Sequence, residues 1–297
     1  MGHDHSHGHN QNKKALFISF LFIFTFMIVE VIGGIVTNSL ALLSDAGHML
    51  SDAAAIGLSL AAFYIGEKAS DKGKTYGYKR FEILAAFING ITLILVSLYI
   101  FWEAYHRFID TPMVSPGMIV IASIGLVVNI IVAWILMRGD TEHNLNVRSA
   151  FLHVLGDMLG SVGAIAAGLL IYFFNWNLAD PIASVIVAIL IVISGWRVTK
   201  DSVHILMEGS PANIDTDKVK MGMAEITGVI EVHDLHVWCI TSEFTALSCH
   251  VMVEKEVDRD MILLKVSKFL EEEFDIHHST IQVEGKSVTE GHHHICT

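Results

Sequence analysis

Ser44-Asp45-Ala46-Gly47-His48-Met49-Leu50-Ser51-Asp52 and its echo Ser149-Ala150-Phe151-Leu152-His153-Val154-Leu155-Gly156-Asp157 decide how the rest of this chain is read. Each stretch holds a His-x-x-x-Asp pair inside a strongly apolar segment. Residues four apart on a helix share a face, about one turn apart. Each segment therefore presents one imidazole and one carboxylate in the same direction. An aspartate at bilayer depth costs roughly 2.5–3.5 kcal/mol on the insertion scale. Two pairs with one spacing point to a shared site rather than to two isolated helix contacts. Together they offer two nitrogens and two oxygens, a set that suits four-coordinate Zn²⁺. Ligand type alone leaves Co²⁺, Ni²⁺ and Cd²⁺ open.

The surrounding composition is that of a membrane protein. Of 297 residues, 53% are hydrophobic and 17% charged, and the mean hydropathy is +0.53. Such a chain is too apolar for an ordinary soluble domain. The net charge of −12 is unevenly spread: from Glu208 onward there are 17 Asp and Glu against 7 Lys and Arg. A nearly neutral membrane part is thus joined near residue 208 to an acidic soluble part. No basic patch of the kind nucleic acid requires is present. Three cysteines, Cys239, Cys249 and Cys296, are too few for a disulfide framework and fit a reducing cytosolic setting.

Residues 1–14 form a polar His-rich tract and are expected to be disordered. The first apolar run, residues 15–36, is too long for a signal-peptide core. Further spans are expected at 39–64, 82–105, 116–137, 149–174 and 179–199, each with about 20 mostly apolar residues. The connections at 65–81 and 138–148 carry Lys68, Lys72, Lys74, Lys79, Arg80, Arg138 and Arg148, whereas the opposite ones hold only Arg107. Positive-inside bias then predicts six spans with both termini cytoplasmic, in a cell membrane. The lysines of the 67–74 loop suit contact with anionic lipid.

The two motifs lie at one constant offset of 105, which also aligns Ala61-Ala62 with Ala166-Ala167. Halves of three spans each would be inverted repeats, a recurring transporter plan. Small residues at helical spacing, Ala53, Gly57, Ala61 and Gly160, Ala164, Gly168, predict close helix packing around both pairs. Asn89 and Asn129 read as helix–helix contacts. Asp45, three residues before His48, reads equally as an orienter of a neighbouring ligand or as a polar residue near a water-filled vestibule. After Glu208 the periodicity predicts a helix over 215–226, strands over 229–240 and 245–253, a helix over 258–274 and a strand over 279–284. That order describes a small α+β domain. The domains expected are thus 15–207 in the membrane, 208–290 in the cytoplasm and a His/Cys tail at 291–297.

These residues resemble the cation diffusion facilitator family of divalent-metal exporters. The matching stretches are 39–53, Tyr76-Gly77-Tyr78-Lys79-Arg80-Phe81-Glu82, His153-Val154-Leu155-Gly156-Asp157, Ala179-Asp180-Pro181-Ile182-Ala183-Ser184 and Val232-His233-Asp234-Leu235-His236-Val237-Trp238. The resemblance implies a polytopic six-helix transport domain with a small cytoplasmic ferredoxin-like domain, assembled as a homodimer. It implies Zn²⁺ leaving by alternating access in exchange for protons. It also implies a transport site of His48, Asp52, His153 and Asp157. Members with His at the first of these positions look mostly like zinc carriers, with cadmium accepted less well.

The cytoplasmic part holds a second constellation: His233, His236, His250, His277, His278 and Glu284. The resemblance places regulatory zinc ligands at His233, His250 and Glu284. Gln282 stands where some members have His, which argues against a full binuclear site. The family's loop site between spans two and three is expected to be absent or weak, because residues 67–74 contain no histidine. His3, His5, His7 and His9, and His292-His293-His294 with Cys296, are expected to collect metal weakly.

Histidine binds metal only when neutral, and its ordinary pKa is about 6.5. Metal and protons therefore compete for such a site. A membrane-anchored metal sensor is the alternative reading, but an anchor has no use for intramembrane His-Asp pairs. A metalloenzyme would keep an open coordination position and a separate base. No phosphate-binding Gly-rich Lys-Ser/Thr loop supports ATP-driven pumping.

Overall fold

The computed structural model describes the backbone of residues 5–37, 40–109, 116–174, 176 and 178–285. The chain divides into two compact units, Met1–Val203 and His204–Thr297. The first contains the helices α1 (His5–Thr37), α2 (Leu40–Gly66), α3 (Phe81–Ile109), α4 (Pro116–Leu136), α5 (Leu145–Phe174) and α6 (Ala179–Leu206, whose last turn runs into the second unit). Among the described residues, Gln11–Val29, Phe81–Ile109, Leu145–Phe174 and Pro181–Leu206 are each long and apolar enough to cross a membrane. Shorter apolar stretches, Asp52–Gly66 and Ser123–Leu136, lie in α2 and α4.

The expectation of disorder over residues 1–14 is corrected from His5 onward, where the chain is already helical. Once a long helix exists, each added residue fixes one more hydrogen bond without a new nucleation cost. Side chains also tie this segment down. Asn12 Oδ1 accepts the Asp140 N–H at 2.6 Å. Lys13 pairs with Glu67 at 2.7 Å and lies over the Tyr64 ring.

The main core of the first unit joins α1, α2, α4 and α5 through Leu16, Ile23, Met49, Ile56, Phe63, Val132, Leu136, Val147 and Val154. α1 packs on α2 as α4 packs on α5, the pairing an internal repeat would produce. α3 and α6 cross where Gly90 meets Gly195: a Cβ on Gly90 would sit 2.6 Å from Thr199 Oγ1. The expected small-residue rows behave unequally. A Cβ on Gly57 would press on the Phe20 ring at 3.2 Å, but one on Gly160 would meet open space. The close approach on α5 is instead at Gly156, against Ile191.

α5 begins where Asn144 Oδ1 accepts the N–H groups of Asn146 and Val147, a side-chain cap for two otherwise orphaned donors. α7 (Thr216–Ala224) and α8 (Arg259–Phe274) are capped in the same way by Asp215 and Asp258. These two helices cover one face of a three-stranded sheet made of β1 (Val229–Thr241), β2 (Phe244–Val253) and β3 (His278–Gly285). β1 and β2 are antiparallel, and β3 runs parallel to β2 after the α8 crossover. Val232, Val251, Val219, Ile262 and Leu270 meet in the core between helices and sheet.

β1 carries an extra residue: His233 pairs with His250, but His236 pairs with Ser248. The bulge is opened by Asp234, which adopts φ +50°. Asp enters the left-handed region more readily than most residues, and β-branched residues hardly at all. Asp234→Val is therefore expected to destabilise the cytoplasmic unit by about 1–2 kcal/mol, whereas Asp234→Gly leaves its melting midpoint near that of the parent. Thermal melting of the full-length variants in detergent, followed by circular dichroism, checks the pair.

Candidate metal centres

The first centre arises because α2 and α5 pack together. Asp52 is 1% exposed and His153 6%, so neither has water as its main partner. His153 Nε2 lies 3.2 Å from Asp52 Oδ1 and 3.8 Å from Asp157 Oδ2. All three donor atoms fall within 4.8 Å of one another. Ligand atoms about 2.0–2.2 Å from a tetrahedral zinc stand about 3.3–3.5 Å apart. The observed separations are thus near those of a liganded site. His48 lies on α2 one turn before Asp52; its side chain, like that of Asp45, is outside the described residues.

This geometry makes proton and metal rivals for one atom. A protonated His153 Nε2 donates to Asp52, and a deprotonated one has a lone pair for a cation. A cation held there would also supply positive charge beside the buried Asp52 and partly buried Asp157 carboxylates.

The second centre is built by strand register. His233 and His250 are direct cross-strand partners, with ring centroids 5.3 Å apart. Glu284 Oε1 lies 2.9 Å from His233 Nε2 and 3.7 Å from His250 Nδ1. Gln282 donates to the other oxygen, Oε2, at 3.0 Å. The residue that replaces a histidine therefore orients the central carboxylate. His233 Nδ1 is buried without a hydrogen-bond partner among the described residues.

Asp234, which the sequence reading passed over, stands at the edge of this cluster. Its carboxylate is 3.1 Å from His236 Nε2 and 4.0 Å from His250 Nε2. Only the bulge brings it there, and no periodicity signals it. His277 pairs instead with Asp275 and Glu271, and His278 packs against Phe244. Cys239 and Cys249 are buried. Burial raises both thiols and pushes Cys249 up to about 12. The His292–His294 tail and Cys296 lie outside the described residues, as do the side chains of His3, His5, His7 and His9.

The 67–80 loop is organised by its own carboxylate. Asp71 Oδ1 accepts the N–H groups of Gly73 and Lys74, and Oδ2 accepts the Tyr78 hydroxyl at 2.8 Å. Lys68 and Lys74 lie over the Tyr78 ring.

A helical membrane unit with a buried His-carboxylate cluster, joined to a second unit with another, defines the class: a polytopic cation carrier with a cytoplasmic domain. The cation efflux transmembrane domain matches residues 16–207, and the cation efflux protein cytoplasmic domain matches residues 211–286. The cadmium, cobalt and zinc/H(+)-K(+) antiporter of Bacillus subtilis (strain 168) is 56% identical over 274 residues, 91% of this chain and 86% of that protein. The zinc transporter ZitB of Escherichia coli (strain K12) is 45% identical over 261 residues, 87% of this chain and 83% of that protein. A solved structure, the metal-bound C-terminal domain of the CzcD transporter from Cuprividus metallidurans, is 36% identical and covers 24% of this chain and 99% of that one. Its TM-score of 0.23 is too low to bear on the fold. The chain belongs to the cation efflux (cation diffusion facilitator) family. It is a multi-pass membrane transporter of cations and not an enzyme.

The Tyr78 hydroxyl is the foremost cause holding Asp71 below the usual carboxylate range, ahead of the Gly73 and Lys74 amides. Tyr78→Phe is therefore expected to raise the Asp71 pKa toward its ordinary value. The loop's stabilisation from Asp71 would then be lost at higher pH as the solution is acidified, since a depressed carboxylate stabilises only above its folded pKa. Carboxyl-carbon NMR of selectively labelled aspartate gives the titration directly.

Proposed function

We propose that the protein exports Zn²⁺ from the cytoplasm in exchange for protons, by alternating access around His48, Asp52, His153 and Asp157. The observation that carries this reading is the convergence of buried Asp52 and His153 with partly buried Asp157 from two helices. The relatives' names, a zinc transporter and a cadmium, cobalt and zinc antiporter, support the same cargo class and exchange. His48 completes the set from the turn preceding Asp52. With four protein ligands the ion crosses dehydrated, and no position is left for activated water.

The exchange follows from the ligands. Neutral imidazole and carboxylate hold Zn²⁺; on the acidic side of the membrane, protons take the same lone pairs and release it. Both termini and the 204–297 unit face the cytoplasm, in the orientation the Lys/Arg bias favours. The lysines of the 67–74 loop then meet the anionic inner leaflet.

The chain acts as a homodimer, in keeping with its cytoplasmic domain family. Cytoplasmic units of about −10 each repel, and Zn²⁺ held by His233, His250 and Glu284 offsets that charge. Metal therefore draws the two acidic units together and signals high cytoplasmic zinc. A sensor-only reading leaves the intramembrane cluster without a role.

In proteoliposomes, an imposed proton gradient is expected to drive zinc uptake into the acidic compartment. His153→Ala and Asp157→Ala should each lower that flux about 100-fold or more, as loss of a buried charge partner of about 3 kcal/mol implies. Flux that ignored both substitutions, or ignored pH and potassium gradients alike, would sink the carrier reading. Separately, zinc titration of the full chain followed by small-angle scattering should compact the parent but not His233→Ala or Glu284→Ala, with transport-site binding retained.

A further inference from the structure

Next to the transport cluster, on the side where α2 ends and α5 begins, lies a group of buried polar side chains with no part in holding metal. Asn89 of α3 is 3% exposed, and Ser59 of α2, Asn146 and Ser149 of α5 are 0% exposed. The Asn89 amide donates to Ser59 Oγ at 2.9 Å, and at 3.4 Å each to the Ala55 carbonyl and Ser149 Oγ. Asn146 Nδ2 donates to the Ser59 carbonyl at 2.8 Å. Asn144 Nδ2 donates to Glu82 at the start of α3. Three helices are therefore stitched together by side chains.

The position is specific. Ala55 lies three residues after Asp52, and Ser149 four residues before His153. The stitching is thus one helical turn, about 5 Å, from the metal ligands, on both helices that carry them. A cation that reached Asp52 and His153 from that end between α2 and α5 would have to part these contacts. The Asn89 amide hydrogen-bonds both α2 and α5.

We propose that Asn89 is a gate latch: it holds the cytoplasmic ends of α2 and α5 together over the site, and its release opens the site to cytoplasmic zinc. This rests on the carrier reading and on the orientation proposed above. The latch suits such a task. Its long 3.4 Å contacts are weak singly, so few broken bonds separate the closed from the open state. Its removal leaves no orphan, because Ser59 Oγ still donates to the Ala55 carbonyl and Ser149 Oγ to that of Asn146.

The test combines Asn89→Leu, and separately Ser149→Ala, with a reporter thiol introduced as Ala55→Cys in the full-length protein in sealed vesicles. A small charged thiosulfonate is applied from each side in turn, and labelling is read on the reporter's own peptide by mass spectrometry. Asn89→Leu is expected to raise cytoplasmic-side labelling about tenfold, the effect of losing one buried hydrogen bond from the closed state. Ser149→Ala should shift it the same way by a smaller factor. Equilibrium zinc binding that His153→Ala abolishes should stay within about twofold of the parent, as a latch that touches no ligand requires. Unchanged labelling with binding retained overturns the latch. Labelling that rises only from the opposite side overturns its placement at a cytoplasmic gate. Absence of His153-dependent zinc binding in the parent overturns the carrier reading itself.

Discussion

Charge in an apolar slab has to be answered by charge or by hydrogen bonds. That constraint governs the membrane unit. Asp52 is buried and Asp157 partly buried in a helical bundle whose core includes Leu, Ile, Val, Met and Phe. One imidazole, that of His153, lies within reach of both carboxylates. The arrangement tolerates two occupants, a proton on Nε2 or a divalent cation among all the donors, and is poorly satisfied by neither. Exchange of the two occupants across a membrane is antiport, so under the proposed function the chemistry of transport and the burial of charge involve the same atoms.

The cytoplasmic unit reaches a similar His-carboxylate cluster by different means. Helical spacing sets the pairs in α5 and α2, but in the sheet the donors come from three strands whose order in space is fixed by pairing. His233 and His250 are opposite each other in an antiparallel ladder. Glu284 arrives on a parallel strand after a helical crossover. The bulge at Asp234 turns one further carboxylate toward His236 and His250. A buried Glu284, oriented by Gln282, is the common element, touching both rings.

One helical turn from the cluster of Asp52 and His153 the protein places a network of mostly neutral polar groups. Hydrogen bonds among Ser59, Asn89, Asn146 and Ser149 are directional, so they define one closed arrangement, yet each is weak enough to break.

Much of this was legible in the sequence. Apolar runs of bilayer length located the helices, because length and hydropathy are local properties. Alternation and turn residues located the soluble elements to within a few positions: the strand expected over 229–240 spans Val229–Thr241, and the helix expected over 258–274 spans Arg259–Phe274. The His-x-x-x-Asp spacing put each pair on one face for the same local reason. What local pattern does not carry is which faces meet. Only packing brought Asp52 of α2 to His153 of α5, separated His277 from His233 and His250, and carried Asp234 into the cluster through a bulge no periodicity announces. Only packing, too, showed Asn89 bridging two helices, and a helix continuing back to His5 through a tract whose polarity read as disorder. The sequence by itself determined the kinds of donor and the elements that bear them, since both depend on near neighbours in the chain. The tertiary structure decided which donors converge, because contacts between residues a hundred positions apart depend on helix pairing and strand register.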